Sequence, residues 1–133
     1  MNASGAAPVP VILVADDSLD IRDALSALLE DEGYNPVEAA DGQDALALAL
    51  ERNVDLILLD LSMPRLTGTA FCQAYHDRGG TAPIVLVTGF YSNDVVATIE
   101  ACGAVGYLPK PFEIDQVLKL IERHVGRPPE AAS

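Results

Sequence analysis

The sequence predicts an α/β domain in which a five-stranded parallel sheet is doubly wound, with helices on both faces. Three apolar runs, at 11–15, 56–59 and 84–87, are rich in aliphatic residues and do not alternate with polar ones. This pattern is typical of strands that are buried on both faces. Strand and helix patterns alternate five times without interruption, and this alternation favours a parallel sheet.

The boundaries of the elements follow from turn and capping residues. Ser18 can cap the first helix, which is expected to end at Gly33, and Asp41 and Gly42 turn the chain into the second helix. The predicted strands are 11–15, 36–40, 56–59 (closed by Asp60), 84–87 and 106–108. The predicted helices are 18–33, 42–52, 67–77, 93–102 and 113–125.

The chain is predicted to form one domain at 8–126 between two mobile tails. A chain of 133 residues can bury one core and is too short for two. The segments 1–7 and 127–133 are small or proline-rich and show no periodicity. Because eight residues follow Val125, we expect no attached DNA-binding or enzymatic module and an output that leaves through a partner protein.

The formal net charge of -12 argues against two classes of partner. It disfavours direct binding to nucleic acid phosphates and to an anionic membrane surface, and it is compatible with a cation site. The sequence has neither a membrane-spanning apolar run nor a signal peptide, so the cytoplasm is the expected compartment. Cys72 and Cys102 lie among apolar neighbours and are expected to be reduced core residues.

Polar residues follow four of the predicted strands, where ligands of open α/β sheets bind. Asp16 and Asp17 follow the first strand, and Asp60 closes the third. Thr88 and Gly89 follow the fourth strand, and Lys110 follows the fifth. The predicted winding therefore gathers three carboxylates, a hydroxyl and an ammonium group around one crevice.

Three clustered carboxylates need a cation or protons, since two of them about 4 Å apart repel by about 4 kcal/mol at an effective dielectric constant near 20. Oxygen ligands with open positions suit Mg²⁺. Lys110 and Thr88 would supply charge and a hydrogen bond to phosphoryl oxygens, and one carboxylate would then be the nucleophile. Asp60 is the candidate because it ends the central strand. Individually these residues are more often helix caps, turn residues or surface charges, and only their combination indicates a site.

The same residues resemble the receiver domain of response regulators in two-component signalling, over about 9–125. The matching stretches are VADD at 14–17, LLDLSMPRLTG at 58–68, VTG at 87–89 and ACGAVGYLPKPF at 101–112. The resemblance implies a flavodoxin-like fold with strand order 2-1-3-4-5.

By the same resemblance, Asp60 accepts a phosphoryl group from a histidine kinase or a histidine phosphotransfer protein. Asp17, Asp60 and the main-chain carbonyl of Ser62 would bind Mg²⁺, and Asp16 would assist through water. Lys110 would pair with the phosphoryl group, and the peptide bond between Lys110 and Pro111 is expected to be cis.

Further positions are implied to switch or tune the site. Thr88 would move to hydrogen-bond the phosphoryl group, and the aromatic ring that follows this movement is either Tyr107 or Tyr91. Gly89 would leave an open approach, and the positions of Ser62 and Phe90 tune dephosphorylation in the family. The protein is expected to be a monomer or a phosphorylation-dependent dimer.

The predicted output surface is formed by the fourth helix, the fifth strand and the fifth helix. On the fifth helix the apolar stripe that should face the core comprises Ile114, Val117, Leu118, Ile121 and Val125. Leu120 lies off this stripe, as an exposed leucine of no special role or as part of a partner surface.

Three alternatives stay open at this point. The chain could be a receiver module excised from a larger hybrid kinase or regulator. It could be a phosphohydrolase with an aspartyl nucleophile, although such enzymes need a second acid two residues later, where this chain has Ser62. It could also be a pseudo-receiver that is never phosphorylated, against which the complete acid set argues.

Overall fold

Five strands and five helices alternate along the residues that the computed structural model describes, which are 9–61, 65–89 and 94–126. The strands are β1 (Val11–Ala15), β2 (Asn35–Ala39), β3 (Leu56–Asp60), β4 (Ile84–Thr88) and β5 (Gly106–Pro109). The helices are α1 (Leu19–Asp31), α2 (Gly42–Glu51), α3 (Gly68–Asp77), α4 (Asp94–Cys102) and α5 (Ile114–Val125). The predicted elements are thus all present, with shifts of one or two residues at their ends. The predicted tails 1–7 and 127–133 lie outside the described residues.

The strands form one parallel sheet in the order β2-β1-β3-β4-β5, which confirms the predicted fold class. Alternate strand residues point to opposite faces, so the sheet separates two buried clusters. One cluster joins Leu13, Ile57 and Leu86 to helices α2, α3 and α4, and the other joins the neighbouring strand residues to α1 and α5. The sheet is therefore covered on both sides, as a doubly wound fold requires.

Side-chain caps fix where several helices begin. Ser18, Asp41 and Thr67 each accept a hydrogen bond from a backbone N–H in the first turn of α1, α2 and α3. Glu113 and Gln116 form a reciprocal capping box at the start of α5. These caps hold the helices directly after the strand ends, which is where the candidate site residues lie.

The predicted apolar stripe of α5 needs a correction at Ile114, whose side chain is 57% exposed. Val117 and Ile121 are buried as expected. Leu120, which was placed off the stripe, is partly buried and packs against the core. The reason lies in Gly106, because Leu120 Cδ2 lies 3.3 Å from the position that a Cβ atom on this glycine would occupy. A residue without a side chain on β5 leaves the space that Leu120 fills.

The two cysteines are buried and free, as expected for reduced core residues. Burial raises the pKa of the Cys72 thiol and of the Cys102 thiol, and the two side chains interact through a hydrogen bond. Among the described residues, no helix combines the length and the apolar character needed to cross a membrane.

Candidate functional site

The carboxyl ends of four strands carry the residues of the candidate site. Asp16 directly follows β1, Asp60 is the last residue of β3, Thr88 is the last residue of β4, and Lys110 directly follows β5. The strands run parallel and in register, with Asp60 opposite Val87 and Thr88 opposite Pro109. The sheet therefore places these side chains together at the carboxyl ends of its strands, as the sequence predicts.

Three carboxylates converge at this end of the sheet. Asp16, Asp17 and Asp60 each offer an oxygen atom, and these atoms all lie within 4.8 Å of one another. Asp16 and Asp60 are 2% and 5% exposed, whereas Asp17 is exposed. Such a donor set is hard, anionic and open to solvent on one side, so it fits a divalent cation such as Mg²⁺.

Lys110 lies between two of the acids. Its Nζ atom is 2.9 Å from Oδ2 of Asp16 and 3.6 Å from Oδ2 of Asp60. The second oxygen of Asp16, Oδ1, accepts a hydrogen bond of 2.9 Å from the Ser18 N–H. Lys110 thus offsets part of the negative charge, and both oxygens of Asp16 are held in fixed directions.

Thr88 and Lys110 are linked through the backbone. The Lys110 N–H donates to the Thr88 carbonyl at 2.8 Å, and the peptide bond between Lys110 and Pro111 is cis. Thr88 is 1% exposed. Gly89 is exposed, and apart from its chain neighbours a Cβ atom there would have one described heavy atom within 4 Å, Lys110 Cβ at 3.9 Å. The open approach expected at Gly89 stays a prediction.

Residues 65 and 66, which precede α3, contact the start of α2. Arg65, which has a positive φ of 72°, makes an ion pair of 3.7 Å with the N-cap residue Asp41. Leu66 packs directly on Gly42, where a Cβ atom would lie 2.1 Å from the Leu66 carbonyl oxygen. The Asp-Gly pair that the sequence predicts as a turn therefore also contacts Arg65 and Leu66.

Some of the expected site residues lie outside the described residues. These are Ser62, the expected carbonyl ligand, together with Phe90 and Tyr91. Tyr107 is described, and it lies partly buried on β5, opposite Leu86 of β4. The choice between Tyr91 and Tyr107 as the switch ring therefore stays open.

One contact of the site was missed in the sequence, namely Arg22. Its Nη1 donates to the Asp16 carbonyl at 2.8 Å. The only signal in the sequence is that a basic residue near the N-terminus of a helix opposes the helix dipole, and this does not identify its partner.

Known proteins resemble this chain over nearly its whole length. The family model described as the response regulator receiver domain matches residues 12–122. The chain belongs to the response regulator receiver family. A transcriptional regulatory protein of Mycobacterium tuberculosis, PdtaR, is 39% identical over 127 residues, which cover 95% of this chain and 61% of the relative. The response regulator MprA of Mycolicibacterium vanbaalenii is 39% identical over 108 residues, which cover 80% of this chain and 46% of the relative.

Solved structures agree with the fold of this receiver domain. The chemotaxis protein CheY4 of Vibrio cholerae superposes with a TM-score of 0.83 at 36% identity, and the match covers 89% of this chain and all of that protein. A Francisella receiver domain superposes with a TM-score of 0.81 at 29% identity. The chain is therefore a receiver domain for phosphorylation-dependent two-component signalling, in which members of the family work with histidine kinases and downstream partners. Receiver domains generally bind Mg²⁺ at an acidic pocket, and the three clustered carboxylates form such a pocket.

Proposed function

We propose that Asp60 is the phosphate acceptor of this receiver domain and that Asp16, Asp17, Thr88 and Lys110 serve its phosphorylation. The observation that carries this proposal is the convergence of three carboxylates on one ammonium group at the carboxyl ends of β1, β3 and β5. Each of these residues alone has an ordinary structural explanation. Together they form a charge arrangement that is unfavourable without a bound cation.

Asp60 is a better nucleophile than its two neighbours because of its position. Asp16 accepts two hydrogen bonds of 2.9 Å, one on each carboxylate oxygen, which ties both oxygens to the protein. Asp17 is exposed. Asp60 ends the central strand, between β1 and β4, where the groups of both neighbouring strands can reach the same phosphoryl group.

The reaction is a transfer of a phosphoryl group from a phosphohistidine to the Asp60 carboxylate. A carboxylate oxygen of Asp60 forms the new P–O bond while the P–N bond of the donor breaks, and the histidine ring keeps the electron pair. Lys110, 3.6 Å from Asp60, orients the incoming group and offsets its charge, and the Thr88 hydroxyl donates a hydrogen bond to it. Asp17, Asp60 and the Ser62 carbonyl would hold Mg²⁺, with Asp16 assisting through water. When bound, Mg²⁺ neutralises charge on the phosphoryl oxygens.

The phosphorylated state is expected to shift a two-state equilibrium. The modification adds close to two negative charges beside Asp16 and Asp17, and Thr88 and Lys110 are the protein groups placed to meet them. The Lys110 N–H bond to the Thr88 carbonyl would carry a movement of Thr88 into β5. Tyr107 lies on that strand, and Tyr91 remains the alternative switch ring.

The signal would leave through a surface formed by α4, β5 and α5, docked against a downstream protein. Exposed apolar side chains mark this surface: Val96 is 65% exposed on α4, Val105 is 45% exposed just before β5, and Ile114 is 57% exposed on α5. We take 8–126 as the bounds of the domain and the cytoplasm as its compartment. The domain would catalyse its own phosphorylation and dephosphorylation and no other reaction.

A second possibility is favoured by the lengths of the relatives. The chain spans 61% of PdtaR and 46% of MprA. The receiver domain could therefore belong to a longer regulator whose output module is covalently attached. The reading frame on either side of the coding sequence distinguishes this from a receiver that signals through separate partners.

The test is phosphorylation by acetyl phosphate in the presence of Mg²⁺, followed by intact-mass measurement. The wild type should gain one phosphoryl group, and Asp60→Asn should gain none. Asp55→Asn is the matched control, because Asp55 lies just before β3 at the opposite end of the sheet, where it accepts a hydrogen bond of 2.7 Å from the Val11 N–H. The control should be phosphorylated like the wild type.

Phosphorylation that persists in Asp60→Asn would contradict the assignment of Asp60 as the phosphate acceptor. Multiple turnover of a small phosphate ester by the wild type would support the hydrolase alternative and contradict the view that the domain is not a general phosphatase.

A further inference from the structure

The Arg22 side chain connects the acidic cluster to β2, which is an outer strand of the sheet. Its Nη1 donates to the Asp16 carbonyl at 2.8 Å, and its Nε donates to Oε1 of Glu38 on β2 at 3.3 Å. The other carboxylate oxygen of Glu38 accepts a hydrogen bond of 2.9 Å from the hydroxyl of Ser26, which is buried. The Arg22 side chain itself is 14% exposed, so the guanidinium is held in a largely enclosed position between α1 and β2.

These contacts determine the backbone on both sides of Asp17. The peptide group before Asp17 contains the Asp16 carbonyl, which accepts from Arg22. The peptide group after Asp17 contains the Ser18 N–H, which donates to Oδ1 of Asp16. Asp17 therefore has both flanking peptide planes fixed, although its own side chain is exposed.

We infer that Arg22 is a positioning residue, which orients the peptide group between Asp16 and Asp17 so that the Asp17 carboxylate points into a divalent cation site. Glu38 and Ser26 keep the guanidinium in the direction that this bond needs. The inference rests on the proposed function, since it assumes that the acidic cluster binds Mg²⁺.

The charge of Arg22 alone would act in the opposite direction. A positive charge near a cation site repels the cation, so removing it should strengthen Mg²⁺ binding if the charge were all that mattered. A positioning role predicts weaker binding after the same substitution, because groups that orient metal ligands typically contribute tenfold or more to metal affinity. The sign of the change therefore distinguishes the two roles.

The experiment is a calorimetric titration of the full chain with MgCl₂, without a phosphoryl donor. Both Arg22→Ala and Arg22→Lys are expected to weaken Mg²⁺ binding by about tenfold. Lysine keeps the charge but cannot donate to the Asp16 carbonyl and to Glu38 with the planar geometry of arginine. Unchanged or tighter binding in Arg22→Ala overturns the inference, and so does wild-type affinity in Arg22→Lys.

Two further variants keep the result interpretable if Arg22→Ala does not fold. Glu38→Gln retains an acceptor for Ser26 but removes the charged partner of Arg22, and it should weaken Mg²⁺ binding by a smaller factor than Arg22→Ala. Arg78→Ala removes the same charge at the C-terminal end of α3, towards the amino end of the sheet and away from the acidic cluster, and should leave Mg²⁺ binding unchanged. Net charge alone would make Arg78→Ala bind Mg²⁺ as tightly as the wild type or slightly more tightly. A loss in Arg78→Ala equal to that in Arg22→Ala would show that the effect is not specific to Arg22 and would overturn the inference.

The failure of this inference differs from the failure of the proposed function. If the wild type binds Mg²⁺ and the Arg22 variants bind it equally well, only the positioning role is wrong. If the wild type binds Mg²⁺ but Asp60→Asn is still phosphorylated, only the assignment of Asp60 is wrong. A wild type that binds no Mg²⁺ contradicts both.

Discussion

The two ends of the sheet use polar groups in opposite ways. At the amino end, polar side chains meet backbone groups: Asp55 accepts from the Val11 N–H at 2.7 Å, and the Tyr75 hydroxyl accepts from the Ala82 N–H at 3.1 Å. At the carboxyl end, charged side chains meet one another, with Asp16 and Asp60 buried around Lys110. At the amino end, hydrogen bonds satisfy the backbone N–H groups of the turns. At the carboxyl end, three carboxylates surround a single ammonium group.

The amino end of the sheet therefore contributes stability without a ligand, whereas the stability of the carboxyl end depends on what is bound there. Hydrogen bonds to backbone groups at the amino end satisfy the turns and need no ligand. Three carboxylates within 4.8 Å at the carboxyl end repel one another, so this end is expected to gain stability when a divalent cation binds. A region of this kind is suited to a switch, because its free energy depends on what is bound.

The largest effect on stability is expected at the amino end, in Gly80→Ala. A Cβ atom on Gly80 would lie 2.3 Å from the ring of Tyr75, which is buried and held by its bond to Ala82. Overpacking of this kind costs about 1–3 kcal/mol, so the free energy of unfolding in urea should fall by about 2 kcal/mol or more.

The matched control lies at the carboxyl end, in Gly89→Ala. A Cβ atom there would meet only Lys110 Cβ, at an ordinary distance of 3.9 Å. Its free energy of unfolding should stay within about 0.5 kcal/mol of the wild type, as for surface substitutions that create no clash. A similar loss in both variants would contradict the view that the contact with the Tyr75 ring is what makes glycine necessary at position 80.

The sequence predicts those features of the fold and of the candidate site that depend on residues close together in the chain. The order of strands and helices, and the acids at the ends of β1 and β3, follow from residues that are neighbours in the chain. The bond from Arg22 to the Asp16 carbonyl could be suspected but not assigned, because Glu38, which orients the guanidinium, is 16 residues away on another strand. The burial of Leu120 escaped prediction for a similar reason, since the space beside it depends on Gly106 of β5.

A smaller effect with the opposite sign is expected at the carboxyl end, in Asp17→Asn. Asparagine removes one of three clustered negative charges while it keeps the size of the side chain. For an exposed pair at about 4 Å, the repulsion that is relieved amounts to about 1 kcal/mol. In buffer that contains EDTA, the free energy of unfolding should therefore increase by about this amount.

The same variant should lose the stabilisation that Mg²⁺ gives to the wild type. At a Mg²⁺ concentration ten times the dissociation constant, this stabilisation is about 1.4 kcal/mol. Asp55→Asn, the control at the amino end, should keep the full stabilisation by Mg²⁺. If Asp17→Asn is less stable than the wild type in EDTA, the view that repulsion among the carboxylates destabilises the carboxyl end is wrong.

The smallest expected effect concerns the buried thiols of α3 and α4, which contrast with the buried carboxylates. Burial raises the pKa of Cys72 and of Cys102, so the thiolate fraction at pH 8 lies below that of an ordinary cysteine. Because the thiolate is the reactive form, iodoacetamide at pH 8 should leave both residues unmodified in the folded protein and should alkylate both in urea, as measured by intact mass. Rapid alkylation of the native protein would contradict the view that α3 and α4 keep both thiols buried in the folded state.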